Sequence, residues 1–233
     1  MSNTIDWGKI HFSSWSPETN LTGTASAPSF SNTQSIELDG IDDYVSLSTI
    51  SLTGAFSVSA WVKFSTLTSA ESHIINTGTS NTNRIGVYSS TAFQVKIAGT
   101  NVFINETSGN DFVTNQWQHV LVTRDASNNV SVFRNGSSFG SSTTLSGTLT
   151  LDSIFRFNTN QYALGYIDEV ALWDSDQSAN ASTFGSSPID LNSYSPLHWY
   201  RFENTGITAT DSGSGGNDGT LTNGVTRSTD VPT

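Results

Sequence analysis

The stretch Tyr166-Ile167-Asp168-Glu169-Val170-Ala171-Leu172-Trp173 decides the fold. Read as a strand with alternating side chains, it places Ile167, Glu169, Ala171 and Trp173 on one face and Asp168, Val170 and Leu172 on the other. Mostly apolar residues on both sides imply a strand covered on both faces, central to a sheet in a sandwich. The stretch also carries two adjacent carboxylates. A buried carboxylate must be paired, hydrogen-bonded or bound to a metal.

Outward from this stretch the same period of two recurs. Ile36 and Leu38 alternate with Glu37, and the turn Asp39-Gly40-Ile41-Asp42-Asp43 leads to Tyr44-Val45-Ser46-Leu47. Phe56, Val58, Ala60, Val62 and Phe64 take one face of a long strand; Ser57, Ser59, Trp61 and Lys63 take the other. Short strands are expected at His73–Asn76, Arg84–Tyr88 and Val102–Ile104, and Phe93, Val95 and Ile97 alternate with Gln94 and Lys96. Trp117–Arg124 reads as a strand, and Val130–Phe133 ends in Asn135-Gly136, a hairpin signal because both residues accept positive φ. Ile154–Phe157 and Leu197–Phe202 complete about twelve strands by this reading. Gln177–Phe184 is the one short helix. The pattern predicts an all-β domain over residues 35–233, either a two-sheet sandwich or a barrel. Residues 1–34, with Trp7, Phe12, Trp15, Pro17 and Pro28, read as an N-terminal arm whose aromatics dock on the domain or on a neighbouring subunit.

Composition bounds the function. Of 233 residues, 35% are hydrophobic, including 13 Phe and 6 Trp, so a real core is available. Charged residues make up 12%, against roughly 25% in average soluble domains. Net charge is −11, which argues against phosphate-backbone contacts and against anionic membranes. The acidity fits either solubility or divalent cations. There are no cysteines, so disulfides and thiolate metal sites are excluded. The start, Met1 to Trp7, lacks the pattern of a signal peptide, and no stretch is long and apolar enough to span a bilayer as a helix.

Four ordered segments carry a resemblance. They are Ser35–Gly40 with Asp43–Val45, Phe56–Lys63, Gln116–Asp125 running to Asn135-Gly136, and Gly165–Trp173 with the helix after it. Together they resemble the laminin-G-like and pentraxin-like group of concanavalin-A-type jelly rolls, over roughly residues 35–203. Trp199–Glu203, Ala209–Gly213 and Asn217–Leu221 also look like sequence of this family, found here at the end of the chain. In many bacterial relatives that piece comes first; terminal strands of this fold are neighbours, so either end could fill the slot. A truncated second repeat is the competing explanation. The Ser/Thr/Asn-rich single module with an aromatic arm is similar to laminin-G-like structural proteins of marine tailed phages.

The resemblance implies an antiparallel two-sheet jelly-roll sandwich and a choice of chemistries. Jelly-roll glucanases set their carboxylates on alternate residues of one strand. Asp168 and Glu169 are consecutive, which under strict alternation sends them to opposite faces, so no catalytic pair is expected and the protein reads as a non-enzyme. The four histidines, His11, His73, His119 and His198, show no metal-type spacing, and His119 reads as structural. Relatives often hold calcium in an Asp-x-x-Gly-x-Gly-Asn loop, which implies Asp211, Asn217 and Asp218 as ligands with Asp168 as a partner. The alternative is that Asp211 caps a turn and Asp168 accepts backbone N–H groups. Trp61 and Trp117 read as core. Sugar contacts, as in jelly-roll lectins, have Arg84, Tyr88, Asn101 and Tyr162 as candidates, without a defined site. The resulting expectation is a virion surface protein, homo-oligomeric, touching other virion proteins or host-surface glycans; the alternatives are a free-standing calcium-dependent lectin and, more remotely, a polysaccharide hydrolase.

Overall fold

The structure, a computed structural model, describes residues 30–68 and 72–233. Residues Ser31–Thr233 form one compact unit. The arm with Trp7, Phe12 and Trp15 lies outside the described residues. The unit is almost entirely β. In chain order its strands are β1 Ser35–Asp39, β2 Tyr44–Leu52, β3 Phe56–Phe64, β4 His73–Asn76, β5 Arg84–Ser89, β6 Ala92–Ile97, β7 Thr100–Asn105, β8 Gln118–Arg124, β9 Asn129–Arg134 and β10 Ser137–Ser138. They continue as β11 Thr143–Thr144, β12 Leu149–Ile154, β13 Arg156–Phe157, β14 Gln161–Tyr162, β15 Leu164–Trp173, β16 His198–Tyr200, β17 Thr208–Ala209, β18 Gly219–Thr222 and β19 Thr226–Ser228. One short helix, α1 (Ala181–Phe184), follows a 3-10 turn at Ser178–Asn180.

Two large antiparallel sheets form a sandwich. The first runs β10-β9-β8-β3-β15-β1-β19, with β16 also paired to β15 and β11 to β9. The second runs β17-β18-β2-β12-β4-β5-β6-β7. The core lies between them and is filled from the inward positions that the period of two marks: Val58, Ala60 and Val62 of β3, Val120 and Val122 of β8, Val87 of β5 and Val95 of β6. Asn135 and Gly136 take φ of 48° and 77° and turn β9 into β10, as the hairpin signal requires. The C-terminal tail is built into both sheets: β18 pairs with β2, and β19 pairs with β1. It fills an edge position of this sandwich rather than starting another.

The central strand departs from simple alternation. In β15, Asp168 pairs with Trp61 and Ala171 with Ser59, so two residues, Glu169 and Val170, stand opposite the single Ala60. This is a β-bulge, with Glu169 at φ 48°. Ile167, Val170 and Leu172 therefore face the core, whereas Glu169 joins Asp168's side of the sheet. The expectation that the two acids diverge to opposite faces is overturned: the extra residue moves Glu169 onto the outer face, beside Asp168. That outer face is covered. The segment after β15 folds back over it, with Trp173 stacked on Phe184 at 5.4 Å and its indole N–H donating to the Tyr194 carbonyl at 2.9 Å.

Candidate functional site

Three places in the fold gather polar or aromatic side chains in ways that could serve chemistry or binding. The first is the Gly-rich loop 211–218. The structure does bring Asp211, Asn217 and Asp218 together, but as anchors. Asp211 Oδ1 accepts the N–H groups of Trp199 and Gly213, both at 2.8 Å, and Oδ2 accepts the Asn217 N–H at 2.8 Å and faces His198 Nδ1 at 2.7 Å. Burial would raise this carboxyl, but His198 and the three amides outweigh it and hold it below the usual carboxylate range. Asn217 clamps β2 through both ends of its amide, accepting the Ser48 N–H and donating to the Ser48 carbonyl. Asp218 accepts the Asp211 N–H at 2.8 Å. Asp168 makes no hydrogen bond to this loop; its Oδ1 accepts the Glu169 N–H at 2.9 Å. Both lone-pair sites on each Asp211 oxygen are already engaged, which leaves this carboxylate no free acceptor for a hard cation.

The second place is the covered face of β15. Asp168 is fully buried and Glu169 is 3% exposed. Glu169 Oε2 accepts the Trp199 indole N–H at 2.6 Å, and Arg201 Nε lies 3.4 Å from Oε1. Burial nevertheless pushes Glu169 up to about 7, against the opposing pull of Arg201 and Trp199. Burial pushes Asp168 well above its usual range too, and the Glu169 charge adds to it. Glu203 nearby accepts the N–H groups of Thr33 and Gln34 at 2.7 and 3.1 Å, fixing the entry of the chain into β1. Ser59, Trp61, His119 and Glu169 enclose a cavity with Phe184, Pro188, Ile189 and Leu191 of the covering segment. Its volume is about 10 Å³, roughly the least that admits one water. Ser59 Oγ and His119 Nε2 are 2.7 Å apart, and burial drives His119 down to about 3, so it stays neutral. No substrate enters so small a space. Trp61 is buried here as expected, under the covering segment rather than in the central core. Trp117 is only half-buried, its indole N–H donating to Asp230 at 2.8 Å.

The third place is the outer face of the second sheet near its β7 edge. Register pairs Gln94 with Gly86 and Phe103, and Lys96 with Arg84 and Asn101, so these residues share the face turned away from the core. Tyr88, beside a bulge in β5, leans onto Phe103: the ring centroids are 4.7 Å apart at 69°, edge to face. Both rings are exposed, Tyr88 by 42% and Phe103 by 43%. Gln94 Nε2 donates to Asn101 Oδ1 at 2.7 Å and fixes both amides against the sheet, and Lys96 donates to Asn81 Oδ1 at 2.7 Å. Of the residues singled out from sequence, Tyr88 and Asn101 are exposed on this face; Arg84 is 4% exposed, its guanidinium 5.1 Å from the Phe157 ring. Tyr162 is elsewhere: it lies on β14, its ring 6.4 Å from that of Tyr44 and its hydroxyl on the Thr159 carbonyl. Phe103 was missed. Its exposure depends on β7 being the last strand of the sheet, which alternation within β7 does not reveal.

The Laminin_G_3 family model, described as the concanavalin A-like lectin/glucanases superfamily, matches residues 39–183. The chain belongs to this superfamily. Among solved structures, this concanavalin A-like chain is similar to a candidate carbohydrate-binding protein from Bacteroides ovatus, at 19% identity and a TM-score of 0.65, covering 87% of this chain and 62% of that one. The chain thus spans less than two thirds of that relative. It is also similar to the heptameric SAP-like pentraxin of Limulus polyphemus, at 16% identity and a TM-score of 0.53, covering 66% of this chain and 82% of that one. Domain 4 of AbnA, an extracellular GH43 arabinanase of Geobacillus stearothermophilus solved with arabinotriose, matches at 16% identity and a TM-score of 0.51, covering 65% and 76%. At these identities the concanavalin A-like likeness is one of fold. No curated protein matches the chain.

Proposed function

We propose that the protein is a non-catalytic carbohydrate-binding module that meets sugar on the outer face of its second sheet, with Tyr88 and Phe103 as the stacking surface. The exposed edge-to-face pair carries this reading. Two large rings left in solvent on a flat sheet are costly unless something covers them. A pyranose ring suits the surface, since its C–H face packs on aromatic rings while its hydroxyls reach neighbouring amides and cations. Asn101 and Lys96 are placed around the pair for that second role. The printed descriptions of the Bacteroides ovatus protein and of the AbnA domain, which name carbohydrate binding and arabinotriose, support the ligand class. The burial of Asp168 and Glu169 supports a role without bond cleavage.

A glycan array probed with the full chain tests the reading. Binding to at least one glycan is expected, weakened tenfold or more (about 1.4 kcal/mol) by Tyr88→Ala or Phe103→Ala. A double variant that binds as tightly as the wild type would place the site elsewhere, and no binding to any glycan refutes the ligand class.

The finer proposal is that the module is displayed on a tailed-phage particle as a decoration, fibre or appendage protein, oligomeric and attached through residues 1–34. Its support is the similarity in sequence style. Co-purification with particles that is lost on deleting residues 1–30 is the expected result; a chain that never accompanies particles favours a free-standing lectin.

A further inference from the structure

We infer that Asn223 is a site of spontaneous deamidation, the backbone nitrogen of Gly224 attacking its side-chain amide, and that the chain's other Asn-Gly pair, Asn135-Gly136, is protected by its packing. The inference is independent of the carbohydrate reading. Asn-Gly suits this chemistry because glycine has no Cβ to obstruct the approach of its own nitrogen. The Gly224 N–H loses its proton to hydroxide, and the nitrogen forms a bond to Asn223 Cγ. The Cγ–Nδ2 bond breaks, and Nδ2 leaves as ammonia. Water then opens the cyclic imide. Cleavage at Cγ gives aspartate; cleavage at the α-carbonyl gives isoaspartate, in which the main chain runs through Cβ. Water is consumed, ammonia is released, and nothing is oxidised or reduced.

Both asparagines are exposed, so packing rather than exposure separates the two pairs. At Asn135 the reacting groups are held. Its Oδ1 accepts the His119 N–H at 2.8 Å, and its own N–H donates to the His119 carbonyl at 2.9 Å. Turning the side chain towards Gly136 would strand the N–H of His119, a residue 1% exposed. The attacking nitrogen is wedged as well: a Cβ on Gly185 would collide with Gly136 N, and a Cβ on Gly136 would lie 2.8 Å from Ser182 Cα. Asn223-Gly224 has neither restraint. Asn223 Nδ2 donates to the Asp42 carbonyl at 3.0 Å, an exposed bond that water can replace. A Cβ on Gly224 would meet a single atom, Asp43 Oδ1, at 3.3 Å. The product would matter to the fold, because this pair carries the chain from β18 in the second sheet to β19 in the first. Deamidation exchanges the Asn223 donor for a carboxylate near Asp39, Asp42 and Asp43, whose oxygens already lie within 4.8 Å of one another. Isoaspartate also adds a carbon to the main chain at the crossing. Both changes loosen β19 from β1.

Peptide mapping by mass spectrometry, after the full chain has stood in mildly alkaline buffer, tests the inference by reading amide-to-acid conversion at both pairs. In the folded chain Asn223 should deamidate about tenfold faster than Asn135 or more, a factor set by the His119 amide that Asn135 would strand. In concentrated urea the two pairs should react at similar rates, since only the shared Asn-Gly sequence then acts. Asn223→Asp installs one product directly and should lower the melting temperature. Equal rates at the two pairs in the folded chain, or faster conversion at Asn135, overturns the inference. So does an Asn223 that stays intact in the folded chain under conditions that convert it in urea. An Asn223→Asp variant that melts with the wild type overturns the loosening of β19.

Discussion

Replacing Glu169 with glutamine should remove a pH dependence of stability that the bulge creates. In the folded protein burial lifts Glu169 from its ordinary 4.5 to about 7. Between those values the folded state holds a proton that the unfolded chain releases, so this group's contribution favours folding below pH 4.5 and is lost as pH rises towards 7. At about 1.4 kcal/mol per pH unit, the loss amounts to about 3 kcal/mol. His119 tilts the other way: its folded value near 3 lies below the ordinary 6.5, so acid charges the unfolded chain first and erodes stability between those values. The wild-type profile therefore mixes several slopes, the raised Asp168 carboxyl among them, and the difference between wild type and Glu169→Gln reports Glu169 together with its coupling to Asp168. Glutamine mimics the protonated acid and can still accept the Trp199 N–H. Urea unfolding at pH 5 and pH 8 should find the two proteins close in stability at pH 5, with the variant more stable by about 3 kcal/mol at pH 8. Equal differences at both pH values would refute the reasoning, because they would mean that Glu169 titrates normally and is not sealed.

Asp211→Ala should cost about 3 kcal/mol or more by chemical denaturation, since it strands the amides of Trp199, Gly213 and Asn217 together with His198. The same variant should lose less stability than the wild type as pH falls through the acid range, because a depressed carboxyl protects the fold only while ionised. Arg124→Met should cost about 3 kcal/mol: the fully buried guanidinium donates to the carbonyls of Thr53, Gly54 and Gly147 and lies 4.7 Å from the Phe56 ring, so methionine keeps the packing but leaves the turn carbonyls unmet. Tyr88→Ala and Phe103→Ala should each change unfolding free energy by less than about 1 kcal/mol, since both rings are substantially exposed.

The sandwich was legible because its signals are local. Alternation in β3 and β6, the apolar runs of β8 and β15, and the Asn135-Gly136 turn each report a backbone state that neighbouring residues alone can specify. The bulge in β15 was not legible. An extra residue at Glu169 leaves no mark in composition, and a glycine, which would have advertised the positive φ, is absent there. Asp211 looked like a ligand for a related reason. The residues that suit calcium also suit backbone amides, and only the path of Trp199 and Gly213 past the carboxylate decides between them. Asp39, Asp42 and Asp43 read as a turn, which they form. Their second property, an orphaned oxygen opposite Gly224, depends on a residue far along the chain. The sequence contains the exposed pair Tyr88 and Phe103 only as two unrelated aromatics on separate strands.

The bulge also changes the ground on which catalysis is argued. Strict alternation would have separated Asp168 from Glu169; with both on one face, only their cover keeps them from substrate. That cover rests on Phe184, Ile189 and Leu191, which close the cavity over Ser59, Trp61, His119 and Glu169. Lifting it would return the buried Phe184 and Leu191, at about 1.5–3 kcal/mol each, and the half-buried Ile189 to water, roughly 4–7 kcal/mol together. That is comparable to the whole unfolding free energy of a typical domain, about 5–15 kcal/mol. An opening that costs about 5 kcal/mol is populated in roughly one molecule in several thousand, so any hydrolysis routed through these acids would be slowed by that factor before chemistry began. The raised proton affinity of Glu169 has the same origin as its inaccessibility: it follows from the dry surroundings that the covering segment helps to make. Shortening that segment should therefore lower the Glu169 value towards 4.5 and expose this acid, and a truncated variant that still carries Glu169 near 7 would show that the strand itself, rather than its cover, sets the proton affinity.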